Sequence, residues 1–183
     1  MKTFNLIISF FYIISVLSQS SSPIFVNSYD VVAGTSGERT PRYLAFNTDG
    51  TKMFVVGGTN DMLLEYTLSP GYDLTTLTYA GNAERYNLFI SVGQGDSQPR
   101  GIAFNNDGTE MFIVGNVAEE VNEYHLDIAF DISTASFDSR IDITATGATD
   151  TNDLAFNADG TKMFITTNTT TKIFVFTLTI GLM

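Results

Sequence analysis

The decapeptide Ala45-Phe46-Asn47-Thr48-Asp49-Gly50-Thr51-Lys52-Met53-Phe54 decides the fold, because the chain contains it three times. It returns as Ala103-Phe104-Asn105-Asn106-Asp107-Gly108-Thr109-Glu110-Met111-Phe112, and again as Ala155-Phe156-Asn157-Ala158-Asp159-Gly160-Thr161-Lys162-Met163-Phe164. Three near-copies in 183 residues define an internal repeat, and a repeat of this period builds stacked or radial architectures. Within the first copy, an Asp-Gly pair separates a short apolar stretch at 44–47 from a continuous apolar run at 53–56. Asp and Gly tolerate the positive φ of tight turns, so the segment predicts two antiparallel strands joined as a hairpin.

The repeat extends beyond the decapeptide. Residues 72–79, Tyr-Asp-Leu-Thr-Thr-Leu-Thr-Tyr, align with residues 130–137, Phe-Asp-Ile-Ser-Thr-Ala-Ser-Phe. The first unit is longer than the second, and its extra residues fall between Ala80 and Gly95, as expected of a loop insertion. Gly37, Gly95 and Gly147 each stand four residues before Pro41, Pro99 and Thr151. The units therefore run from about 41 to 98, 99 to 150 and 151 to 183. Further strands are expected at 63–68, 121–126 and 173–178, with looser last strands near 88–92 and 137–143. The run Met111-Phe112-Ile113-Val114 does not alternate, which marks a sheet packed on both faces. Four-stranded units of about fifty residues, buried on both sides, read as β-propeller blades.

The pattern Ala-Phe-Asn-x-Asp-Gly-Thr-Lys-Met-Phe-Val resembles the YVTN-type repeat of the broad lactonase-like and quinoprotein-like β-propeller group. Ile165-Thr166-Thr167-Asn168 comes nearest to the namesake tetrapeptide. The resemblance covers residues 28–178 and implies blade architecture; it says little about activity, because one fold hosts many functions. The expected fold class is all-β, with three four-stranded antiparallel blades. A strand at 24–32 is expected to complete the blade that begins at Thr151. Three blades are too few for the usual ring of about four to eight, so the propeller is expected to be incomplete or completed by a second copy.

Residues 1–20 read as a secretory signal peptide. Lys2 gives a positive start, residues 5–17 are dominated by Leu, Ile, Phe and Val, and Ser18-Gln19-Ser20 offers small residues for cleavage. The apolar run is short for a membrane span, and 24–183 forms the repeat domain. The expected location is secreted, extracellular or periplasmic, with no membrane span once the peptide is removed. Formal net charge is -11. Such acidity repels phosphate backbones and anionic membrane faces, so nucleic acid is not an expected partner. With no cysteine the chain has neither disulfides nor thiol chemistry.

Candidate sites are few. The Asn-x-Asp-Gly-Thr segments resemble the opening of a calcium loop, but an acidic twelfth ligand is missing, since Val56 stands there. No cofactor or metal site is predicted, while calcium held by other acidic loops is left open. His125 is the only histidine, and Thr67 and Thr177 take its place in the other repeats. No Gly-x-Ser-x-Gly elbow, phosphate loop or dinucleotide fingerprint is present. No catalytic residue is predicted. Arg42 and Arg100 follow matching prolines, and Asn152 occupies the same place in the third unit. The family resemblance implies that this strand lines the central channel, so Arg42, Arg100 and Asn152 are the candidate ligand-binding residues. Glu65 and Glu123 are equivalent but should lie a blade apart, and are read as structural. Asn168-Thr169-Thr170 is a glycosylation sequon if the host is eukaryotic.

With well-specified blades and no assembled reaction site, the expected function is a secreted, non-catalytic binding or adhesion module. Its partner would be a protein or carbohydrate ligand, and a homo-oligomer is among the expectations. The alternatives are a lactonase-like or other hydrolytic propeller enzyme with a divalent metal at the channel mouth, and a surface-layer or matrix structural protein.

Overall fold

The computed structural model describes residues 25–31, 38–88, 98–117 and 119–179. The fold is all-β: three antiparallel sheets, one for each repeat, arranged as propeller blades. The first contains β1 (Pro41–Phe46), β2 (Lys52–Gly57), β3 (Met62–Thr67), β4 (Thr78–Tyr79) and β5 (Arg85–Asn87). They run in the order β1-β2-β3-β4, and β5 also pairs with β3. The second is β6 (Pro99–Phe104), β7 (Glu110–Gly115), β8 (Glu120–Leu126) and β9 (Ala135–Asp142), in sequence order. The third is β10 (Thr151–Phe156), β11 (Lys162–Thr167) and β12 (Ile173–Thr177), again in order.

The hairpin turns explain why the decapeptide recurs. The Asp49 carboxylate accepts from the backbone N–H of Thr51 at 2.9 Å and from the Thr51 hydroxyl at 2.6 Å. Asn47 Oδ1 accepts from Lys52 N–H at 2.9 Å, and Gly50 takes the required φ of +72°. Asp107 with Thr109, and Asp159 with Thr161, repeat the arrangement. The Thr hydroxyl and backbone N–H hold all three Asp carboxyls below their ordinary pKa. These side chains are spent on closing the turn, as Asx chemistry predicts.

Both faces of the middle sheet are enclosed. One seam joins blades one and two through Phe54, Val56 and Leu63 on one side and Ile102, Met111 and Ile113 on the other. The next seam joins blades two and three through Phe112, Val114 and Val121 against Leu154, Met163 and Ile165. These runs do not alternate because each strand buries side chains on both faces. A third cluster, with Met53, Val55 and Tyr66 at its centre, lies on the outer face of blade one.

One strand expectation is corrected. No strand forms at 25–31, the described part of the strand expected at 24–32. The segment lies against blade one, where Val31 packs on the outer cluster and its carbonyl accepts from the Tyr66 hydroxyl at 2.5 Å. Blade one stands at the far end of the arc from β12, so this segment does not complete the third sheet within one chain. In the first unit the described part of the connection after β3 forms two short strands, β4 and β5, separated by a 3-10 turn at Asn82–Glu84; of the looser strand expected at 88–92, residues 89–92 lie outside the described residues. In the second unit, without the insertion, the same stretch is the unbroken eight-residue β9. Residues 89–97 and the expected signal peptide lie outside the described residues.

Candidate functional site

β1, β6 and β10 are the first strands of the three sheets, and each carries a register shift against its neighbour at the same place. Pro41 pairs with Gly57 and Tyr43 with Val56, leaving Arg42 as the extra residue. Pro99 pairs with Gly115 and Gly101 with Val114, leaving Arg100. Thr151 pairs with Thr167 and Asp153 with Thr166, leaving Asn152. An extra residue in one strand bends it locally and re-aims its side chain. Here the bulge recurs in all three blades and falls on the three candidate ligand-binding residues. Arg42, Arg100 and Asn152 line one pocket of about 270 Å³, together with Tyr43.

The two arginines differ. Arg100 is fixed: its Nη1 donates to Asp150 Oδ1 at 2.7 Å and to the Thr151 carbonyl at 3.3 Å. Arg42 is exposed and makes no hydrogen bond or ion pair with the described residues. Its side chain lies over Gly58, where a Cβ would overlap the guanidinium. Glu38, a neighbour in sequence, does not neutralise it. The Glu38 carboxylate is buried and accepts instead from the backbone N–H groups of Arg39, Thr40, Thr59 and Asn60. Burial pushes its pKa up, but these hydrogen bonds together bring it below the ordinary value. A guanidinium without a carboxylate partner is a donor fork available to an anion or a polarised carbonyl.

Behind the pocket stands a group that the sequence reading passed over. Asp153 is hydrogen-bonded to the Tyr43 side chain, and its Oδ1 also accepts from Leu154 N–H at 2.8 Å. Burial raises the pKa of Asp153, and the same burial, with the nearby Asp153 charge, raises that of Tyr43. Close approach of β10 to β6 depends on Gly101, because a Cβ there would come within 2.9 Å of the Asp153 backbone and carboxylate. The signal was present in the sequence: Asp153, Tyr43 and Gly101 occupy one repeat position. Without the blade packing nothing joined a tyrosine to an aspartate more than a hundred residues away.

The remaining candidates lie apart. Glu65 is buried, and its Oε1 pairs with Lys52 Nζ at 2.7 Å. Burial raises its pKa, and the Lys52 ammonium pulls the other way. Glu123 accepts from the Ser139 hydroxyl at 2.7 Å, so the two glutamates do not form a pair. Glu65, Glu84 and Asp131 offer oxygens within 4.8 Å of one another at the first seam, with Lys52 as the counter-charge on Glu65. His125 Nδ1 lies 2.8 Å from Glu110 Oε1. Asn168 is exposed at the turn between β11 and β12, beside Thr169 and Thr170. The donor set at the three-blade pocket does not suit the divalent metal expected of a hydrolytic propeller. A hard dication takes several carboxylate, carbonyl or water oxygens, whereas this lining holds two guanidinium groups.

The sequence matches no family model and no curated protein. The fold, however, has solved counterparts. The Pseudomonas aeruginosa periplasmic gluconolactonase superimposes with a TM-score of 0.56 at 16% identity, over 75% of this chain and 35% of that one. A candidate 6-phosphogluconolactonase from Bacteroides fragilis gives 0.58 at 16% identity, over 80% and 41%. A second, from Bacteroides uniformis, gives 0.53 at 15% identity, over 75% and 37%. The fold is thus that of the lactonase-like β-propellers, and the chain spans about two-fifths of the length of these structures. The comparison overturns the expected non-catalytic binding or adhesion module, because these counterparts are gluconolactonases by name. The expectation rested on the lack of a local motif, and in a propeller that lack decides little, because single residues one blade apart can converge on one pocket.

Proposed function

We propose that this chain forms part of a lactone-hydrolysing propeller built from YVTN-type repeats and working outside the cytoplasm. The observation that carries the reading is the convergence of three equivalent bulge residues, Arg42, Arg100 and Asn152, on one pocket beside Tyr43. Residues 1–20 act as the signal peptide in this reading, and Asn168 carries a glycan in a eukaryotic host.

Hydrolysis of a lactone forms a bond from a water oxygen to the carbonyl carbon and breaks the ring C–O bond. One water proton ends on the released alkoxide, and the product is a hydroxy acid. Negative charge builds on the carbonyl oxygen in between, and donors fixed at that position lower the barrier. Arg42 supplies the free guanidinium. Arg100, held by Asp150, and the Asn152 amide orient the substrate from the neighbouring blades. Asp153, joined to the pocket through Tyr43, has the raised proton affinity required of a general base.

Lactone opening by the purified chain, followed by proton release across a panel of sugar lactones, tests the proposal. Arg42→Ala is expected to lower kcat/KM by about 10²-fold, the usual effect of removing one donor from a developing oxyanion. Asp153→Asn should abolish the acidic limb of the pH profile while leaving the fold intact. Turnover no faster than buffer, or an Arg42→Ala variant as active as the parent, would show the reading to be wrong.

A further inference from the structure

The three sheets form a series, and its two ends match. At each internal seam one blade presents the Phe of its Met-Phe pair to the Phe that precedes the next hairpin turn. Phe54 meets Phe104 with ring centroids 4.7 Å apart, and Phe112 meets Phe156 at the same 4.7 Å. The next presenting residue is Phe164, on the outer face of blade three. The one receiving Phe not reached by a preceding blade is Phe46, on blade one. Phe46 is already backed by Tyr72 at 5.2 Å, just as Phe104 is backed by Phe130 at 5.4 Å.

Other positions follow the same register. Ile102 and Leu154 face the seams at 3% exposure each, whereas Leu44, their counterpart on blade one, is 53% exposed. Leu63 and Val121 are fully buried in the seams, whereas Ile173, their counterpart on blade three, is 66% exposed. At the first seam Lys52 Nζ donates across to the Phe130 carbonyl at 2.8 Å. Blade three again carries a lysine there, Lys162, and blade one carries Tyr72 in the place of Phe130. Beside Leu44 runs an apolar groove of about 630 Å³, lined by Met53, Val55, Leu74 and Leu77 and bordered by the segment that carries Tyr29 and Val31.

We propose that the outer face of blade three docks on the outer face of blade one of a second copy, reproducing the internal seam between chains. Phe164 stacks on Phe46 of the second copy, Ile173 and Val175 cover its Leu44 and groove, and Lys162 donates to its Tyr72 carbonyl. The contact is heterologous, since each copy contributes a different face. Two such contacts close a ring of six blades, within the usual range for propellers. The apolar faces supply the association, and the acidic chains repel one another at low salt.

The test measures the molar mass of the full chain in solution by light scattering and sedimentation, with Leu44→Asp and Val175→Asp alongside. Both residues are exposed, so neither change should unfold the chain, and far-UV circular dichroism checks this. The parent is expected at twice the chain mass, more fully associated as salt rises. Each variant is expected at one chain mass. An equimolar mixture of the two should recover association in part, because the Leu44→Asp chain keeps an intact blade three and the Val175→Asp chain an intact blade one. A monomeric parent overturns the proposal and leaves both faces for blades of some other polypeptide. A dimer that survives either substitution overturns it too, since another surface would then hold the copies together.

Discussion

Blades two and three share eight of the ten residues of the decapeptide, yet a residue common to both has different surroundings in each. Phe112 is fully buried, because blade two has a neighbour on both sides; Phe164, its counterpart, is only partly buried. The same holds along the next strand, where Val121 is buried and Ile173 is exposed. A repeat fixes which residues are offered for packing, and position in the array decides whether the offer is taken up. This is the energetic logic of repeat proteins, in which stability comes from units plus the seams between them.

The largest effect should come from removing the phenylalanine at the two positions. Phe112→Ala is expected to cost about 3–5 kcal/mol, since a buried aromatic leaves a cavity in a seam that cannot collapse around it. Phe164→Ala, measured by urea unfolding below the concentration at which copies associate, should cost only about 1–2 kcal/mol. Equal losses would mean that the outer face of blade three is as well covered as the seams.

A second contrast lies between two glycines with nearly the same backbone. Gly108 has φ +77° and Gly147 has φ +76°. A Cβ at Gly108 would fall within the Phe130 ring, whereas one at Gly147 would meet nothing within 4 Å. Gly147→Ala should therefore cost about 1–2 kcal/mol, the penalty of left-handed backbone alone. Gly108→Ala should cost that plus the displacement of an aromatic, and so unfold at distinctly lower urea. Matching midpoints would show that Phe130 moves aside freely.

Blade one also offers a correction to blade two. Asn122 is buried, and its Oδ1 finds no hydrogen-bond partner among the described residues. Leu64 and Phe174 fill the equivalent places in the other sheets. An unsatisfied buried carbonyl is costly, so Asn122→Leu is expected to raise stability by about 1 kcal/mol, seen as a higher urea midpoint with an unchanged slope. A loss instead would assign Asn122 an ordered water partner or a role at the seam.

These contrasts separate what the sequence makes legible from what it hides. The strands and turns of the decapeptide were readable, because Asn, Asp, Gly and Thr act within five residues of one another and need no tertiary partner. Matching prolines paired Arg42 with Arg100, and the repeat register added Asn152, but neither marked them as bulge residues. A bulge is a mismatch between two strands, and only the pairing of Tyr43 with Val56 in place of a direct continuation reveals it. Asp153 was hidden because its significance lies in its burial and its bond to Tyr43, both set by blade packing. The strand expected at 24–32 was misread for a similar reason. Its apolar composition suggested a paired strand, but Phe25 and Val26 stay exposed and Val31 alone settles on blade one.

The smallest expected effect concerns the one histidine, and the comparison between blades explains it. On the second and third strands of each sheet, Lys52 faces Thr67 and Lys162 faces Thr177, but Glu110 faces His125. Where blade two reverses the charge, a histidine stands opposite. The hydrogen bond to Glu110 raises the His125 pKa above its ordinary 6.5. The stabilisation is therefore fully present below the unfolded value near 6.5 and fades as pH rises through the raised folded value. The pair is open to solvent, so its share of total stability is slight, and the sensitive readout is the titration itself. NMR should place the imidazole midpoint above 6.5 in the parent. Glu110→Lys, which copies blades one and three, should bring it down to or below that value. A midpoint unmoved by the substitution would assign the shift to Asp127 and Asp138, the other acids acting on the ring, and would detach His125 from the repeat register.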